Sequence, residues 1–97
     1  MTSAQIRQSA LTDHTPPPGL SPEAQTLWFI KANRWEDAHN IAQDIPGHTG
    51  SWLHALLHLI EGDTGNAAYW FARAGRPAVP PSETDDEWDR LAAVILP

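Results

Sequence analysis

The sequence predicts an all-α fold: two antiparallel helical hairpins followed by a C-terminal capping helix. Apolar residues recur at helical spacing in four segments between Leu20 and Gly75, the signature of amphipathic helices. Proline and glycine interrupt the pattern at Pro46-Gly47, Gly62 and Gly75, so connections are short and neighbouring helices must run antiparallel. Five tryptophans fall about one to each expected core helix. Each large aromatic removes roughly 150–250 Å² from water. Such anchors compensate for the modest core of a 97-residue chain.

The elements follow in order. Met1 to Leu11 is polar, with apolar points only at Ile6, Ala10 and Leu11, enough at most for a short helix beginning after Ser3. Thr15-Pro16-Pro17-Pro18-Gly19 comes next, and consecutive prolines favour polyproline II over any hydrogen-bonded structure. Residues 1–19 are therefore expected to form a tail and proline-rich spacer, and residues 20–97 a single helical domain. Ser21-Pro22-Glu23 opens that domain with a capping hydroxyl, a proline at the first helical position and a dipole-favoured acid. Leu27, Trp28 and Lys31 then fall at helical spacing, and Asn33 is the expected stop.

A second helix restarts at Trp35, with Trp35, Ala38, Ala42 and Ile45 as its stripe, and Pro46-Gly47 ends it. His48-Thr49-Gly50-Ser51 reads as a turn in which Thr49 or Ser51 caps the next helix. That helix, Trp52 to Glu61, is apolar nearly all round and belongs at the centre of the domain. Asn66 to Ala74 is the fourth helix, with Ala67, Trp70, Phe71 and Ala74 inward and Gly75 as a left-handed cap. Prolines between Arg76 and Pro81 make an extended connection. Ser82 and Asp85 are placed to cap a last helix whose inward face is Trp88, Leu91, Ala92 and Ile95, with the acidic run Glu83 to Asp89 at its dipole-favoured start.

The two hairpins align at an offset of 29, taken as 67 minus 38, which superposes Ala38 on Ala67, Ile41 on Trp70 and Ala42 on Phe71. A small residue that admits a close helix, with a large one three or four positions later, is the logic of tetratricopeptide-type repeats. The stretch Glu61 to Gly75 resembles the second half of such a repeat. The period is shorter than the usual ~34 residues, so the resemblance is to the hairpin and not to a long superhelix.

A longer match runs through His54-Ala55-Leu56-Leu57-His58-Leu59-Ile60-Glu61-Gly62-Asp63 and Asn66-Ala67-Ala68-Tyr69-Trp70-Phe71-Ala72-Arg73-Ala74-Gly75. It resembles a group of short bacterial helical proteins with the pattern H-A-x-L-H-x-x-E-G-D-x-x-N-A-x-Y-W-(Y/F)-x-R-A-G. The upstream Trp35-x-x-Ala38-His39 is similar to that group too, so the likeness covers about Leu27 to Pro77. It implies kinship and a helical fold, and brings no activity with it.

Composition narrows the function classes. The chain has no cysteine, which removes disulfides, thiolate metal sites and a cysteine nucleophile. Six Lys and Arg face twelve Asp and Glu, a net charge of -6. Nucleic-acid binding needs clustered cations, so neither nucleic acid nor an anionic membrane is an expected partner. The N-terminus lacks an apolar signal-peptide core, and the default location is cytoplasmic.

The chemistry gathers on the central helix. Ser51, His54, His58 and Glu61 share one face at i, i+3, i+7 and i+10. His54 and His58 are spaced to address one metal ion, and His39 on the preceding helix could join them. No cofactor is required by any motif; if one is held, His39, His54, His58 and Glu61 suit zinc or a similar divalent metal. The alternative is a polar network among these side chains and the backbone. No catalytic residue is assigned, because Ser51 lacks a third orienting group and a nucleophile elbow.

A second polar line, Asn66, Tyr69, Arg73 and Arg76, lies on the outer side of the fourth helix as a candidate partner contact or as a solvated face. Two functions are expected from these features. One is a non-catalytic interaction module for a protein or peptide partner, with homo-oligomerisation through an exposed aromatic such as Trp88. The other is a metal- or small-ligand-binding protein, with or without catalysis, built on the His/Glu cluster.

Overall fold

The short helix that the first residues allow is formed, and it packs on the core. A computed structural model describes the whole chain, Met1–Pro97, and it is entirely helical. Helix α1 spans Ser3–Thr12, with Thr2 and Gln5 closing a reciprocal capping box at its start. The segment expected as a tail is thus packed structure: Ile6 is 0 % exposed and joins the core. Ser9 Oγ accepts from Trp28 Nε1 at 2.9 Å and donates to Asp13 Oδ2 at 2.7 Å. Buried Ile6 and Ala10 and one buried hydroxyl dock this short helix. The hydroxyl leaves no periodic signal in the sequence.

Helix α2, Pro22–Lys31, is capped by Ser21, whose hydroxyl accepts from the Ala24 N–H at 3.1 Å. Asn33 ends it in the left-handed conformation, φ 60°, and Arg34 N–H then reaches back to the Phe29 carbonyl. That six-to-one bond is the Schellman arrangement. Helices α4 and α5 end the same way, through Asp63 N–H to the His58 carbonyl and Arg76 N–H to the Phe71 carbonyl.

Helix α3 is short, Trp35–Ala42, stopping ahead of the expected Ile45. Helix α4 then runs Gly47–Ile60 with no side-chain cap, so the expected turn at His48-Thr49-Gly50-Ser51 is already helix. The reason is Gly50. A Cβ there would stand 1.9 Å from the Ile45 carbonyl oxygen. This glycine lets two backbones touch, and it does not make a turn. Helix α5 is Thr64–Ala74, capped by Asp63 and closed by Gly75. A 3₁₀ turn, Pro81–Glu83, leads into α6, Thr84–Ile95, where neither Ser82 nor any other side chain supplies the expected cap.

Helices α2 and α3 pair as one hairpin and α4 and α5 as the other. Helix α4 is the centre, touching α2, α3, α5 and α6, while α1 lies against α2 and α6. Leu53, Leu56 and Leu57 on α4 are fully buried, with Leu27, Trp28, Phe71 and Leu91 around them. No helix is long and apolar enough to cross a membrane.

On α6, Trp88 faces inward as its place in the apolar stripe predicts, which removes it as an exposed aromatic, and Glu87 departs from expectation. Trp88 is 1 % exposed and donates from Nε1 to the Leu27 carbonyl at 3.1 Å, with Arg7 and Lys31 over its ring. It offers no surface for a second copy. Glu87 is 2 % exposed, and its helix-start charge is spent inside the domain. It accepts from Trp52 Nε1 at 2.8 Å and from Arg90 Nη1 at 2.6 Å. A buried carboxylate is tolerable when both oxygens are bonded in this way.

Candidate metal centre

Three helices each present a pair of side chains four residues apart to one place. Helix α3 gives Trp35 and His39, α4 gives His54 and His58, and α5 gives Asn66 and Trp70. The i, i+4 spacing puts both members of each pair on the same face. Trp35 fixes the first pair to the second by donating from Nε1 to the Leu57 carbonyl at 2.7 Å. Its ring stacks on His39, with centroids 4.9 Å apart and planes at 10°. On the other side Trp70 stacks on His54 at 4.0 Å and 11°. The imidazoles are thus held between two indoles.

Within that frame the ring nitrogens converge. His39 Nε2 and His54 Nε2 lie 3.0 Å apart, one donating to the other. One nitrogen from each of His39, His54 and His58 lies within 4.8 Å of one from each of the others. His54 and His58 are stacked at 4.9 Å and 18°, and His39 stands at 80° to His54. Zinc–imidazole bonds are about 2.0–2.1 Å, so nitrogens at two corners of a tetrahedron are about 3.3 Å apart. The His39–His54 separation is close to that value, and the third nitrogen lies within 4.8 Å of both. Parallel rings offer their lone pairs side by side, so closing on an ion requires His54 and His58 to turn about χ2.

Glu61, just past the end of α4, accepts from His58 Nδ1 at 2.6 Å. With Nδ1–H held by a carboxylate, the lone pair of His58 is on Nε2. The amide of Asn66 lies 3.4 Å from that nitrogen. His54 titrates well below the usual histidine range, lowered from 6.5 to about 4 by burial first and then by His39 and His58. It is neutral at physiological pH, and a neutral imidazole is the metal-ligating form.

All four candidates His39, His54, His58 and Glu61 therefore meet, three as nitrogen donors and Glu61 as the group that orients one of them. Glu61 and Asp63 also approach His58. Glu61 is bonded to the ring, and Asp63 caps α5 through the Asn66 N–H.

The second polar line does not act together. Asn66 turns to the imidazoles. Tyr69 is 53 % exposed, but Arg73 donates to its hydroxyl at 3.1 Å and lies 5.5 Å from the Trp70 ring. Arg76 lies 4.0 Å over Trp52, away from both. The residues that sequence reasoning missed are Trp35 and Trp70 as walls, and Asn66 as a member of the cluster. The matching i, i+4 spacings on three consecutive helices were the available signal.

Compared with protein-family models, curated proteins and solved structures, the chain finds no match.

Proposed function

We propose that this protein binds a divalent transition metal through His39, His54 and His58, with Glu61 orienting His58. The observation that carries the reading is the convergence of three imidazole nitrogens from two hairpins, with a carboxylate behind one of them. A carboxylate–histidine–metal relay of this kind raises ligand basicity and sets the tautomer. An all-imidazole donor set suits zinc, copper, nickel or cobalt and disfavours calcium and magnesium. The indoles on either side exclude water from two faces and limit ring motion, which lowers the entropy lost on binding.

The reading as a non-catalytic interaction module has less support. Arg73 and Arg76 are already placed on aromatic rings of their own fold. Trp88, the aromatic nominated for self-association, is inside the core.

The test is a zinc titration of untagged, metal-stripped protein by calorimetry, with elemental analysis of the product. One equivalent should bind with a rise in melting temperature, and His39→Ala or His54→Ala should abolish both. Wild-type protein that takes up no zinc, copper, nickel or cobalt and shows no thermal shift would overturn the proposal.

A further inference from the structure

We infer, resting on the trihistidine reading, that the metal keeps one exchangeable coordination position on the α5 side, that this position takes a small anionic oxygen or nitrogen donor, and that Asn66 holds that ligand in place. Three imidazoles leave a tetrahedral ion one ligand short. Glu61 does not supply the fourth, because its carboxylate is bonded to His58 Nδ1 at 2.6 Å, behind the ring. Trp35 and Trp70 cover two sides with carbon. The remaining neighbour is Asn66, exposed in the first turn of α5, with its amide 3.4 Å from His58 Nε2.

That distance is informative. The amide lies along the His58 Nε2 lone pair, on the path a metal would occupy at about 2.0–2.1 Å, so it must swing aside when the ion binds. While the ion is absent, His58 Nε2 bears the only lone pair of that ring, and the Asn66 NH₂ is its donor. When a metal takes that lone pair, the amide loses its acceptor. The nearest group able to replace it is the atom in the fourth coordination position. A hydrogen-bond donor beside that atom favours a charged ligand (hydroxide, azide or a carboxylate) over neutral water, because bonds to charged acceptors are about twice as strong.

Cobalt(II) is the probe, because its visible spectrum reports coordination number and ligand exchange. Cobalt-loaded wild type should show a four-coordinate spectrum that changes on adding azide or acetate. Asn66→Ala should bind cobalt with unchanged stoichiometry, yet bind azide about tenfold more weakly, with the pH midpoint of the bound-water transition moved upward. Asn66 is exposed and alanine favours helix, so the variant should fold, and circular dichroism checks this. A cobalt spectrum indifferent to anions would overturn this inference alone, as would equal azide affinity in wild type and variant. Failure to bind cobalt at all would overturn both this inference and the trihistidine reading.

Discussion

Replacing Glu61 separates metal binding from folding. Glu61→Gln preserves shape and leaves a neutral acceptor on His58 Nδ1, so only the charge is lost. Partners of this kind are worth about 10–100-fold in metal affinity. The Glu61 side chain is 38 % exposed, and solvent screens its charge. The expected loss therefore lies near the lower end, about tenfold, or about 1.4 kcal/mol. Glu61→Ala also releases the ring and its tautomer, and should approach the upper end. The metal-free fold should barely notice, because a partly exposed pair contributes under about 1 kcal/mol. Competition against a chromophoric chelator near neutral pH gives the affinities, and urea unfolding of metal-free protein gives the stabilities. Unchanged affinity in both variants, while His54→Ala abolishes binding, would refute the orienting role. So would an affinity loss that merely tracks unfolding.

Three further outcomes are expected. Glu87→Ala strips the buried Trp52 N–H of its acceptor and removes a charged bond to Arg90; it should cost about 3 kcal/mol in denaturant unfolding, with Glu87→Gln recovering much of that, and equal losses in the two variants would contradict the account. Gly50→Ala drives a Cβ onto the Ile45 backbone and should lower stability by about 2 kcal/mol or more, whereas Gly65→Ala, with nothing within 4 Å, should be neutral or stabilising; a thermal scan compares them. In metal-free protein, His54 is depressed from 6.5 to about 4 by burial and by the facing His39 and His58. Between those values the unfolded chain binds the proton more readily, so stability is full above about pH 6.5 and falls as pH drops toward 4. Because the ring is partly open to solvent, the loss should be about 1–2 kcal/mol, and His54→Gln should remove that part of the pH dependence of melting.

Much of this was legible in the sequence, and the exceptions have specific causes. Helices α2 and α5 follow largely from local chemistry: Ser21-Pro22 starts the first, and Asn33 and Gly75 are left-handed stops, although α5 begins at Thr64, ahead of the expected Asn66. The four-residue spacing of His54 and His58 made their shared face visible, and hairpin stacking brought His39 to them. What stayed hidden depends on tertiary contact. Helix α1 forms because Ile6 and Ser9 find Trp28 and the core, although its own composition is polar. Gly50 looks like a turn residue unless the Ile45 carbonyl above it is known. Glu87 looks like one more acid at a helix start unless the Trp52 N–H is known to point at it. Asn66 was grouped with Tyr69 and Arg73 by spacing, yet it turns to His58.

The position of the histidines has a structural corollary. His39 belongs to the first hairpin and His54 and His58 to the second, so the cluster is a property of the joint and of neither hairpin alone. An ion seated there would rivet the two hairpins together, joining side chains fifteen positions apart in the chain. Any change in the angle between the hairpins would be felt first as a change in its coordination. Two such hairpins expressed as separate peptides would keep their helical patterns and lose the centre.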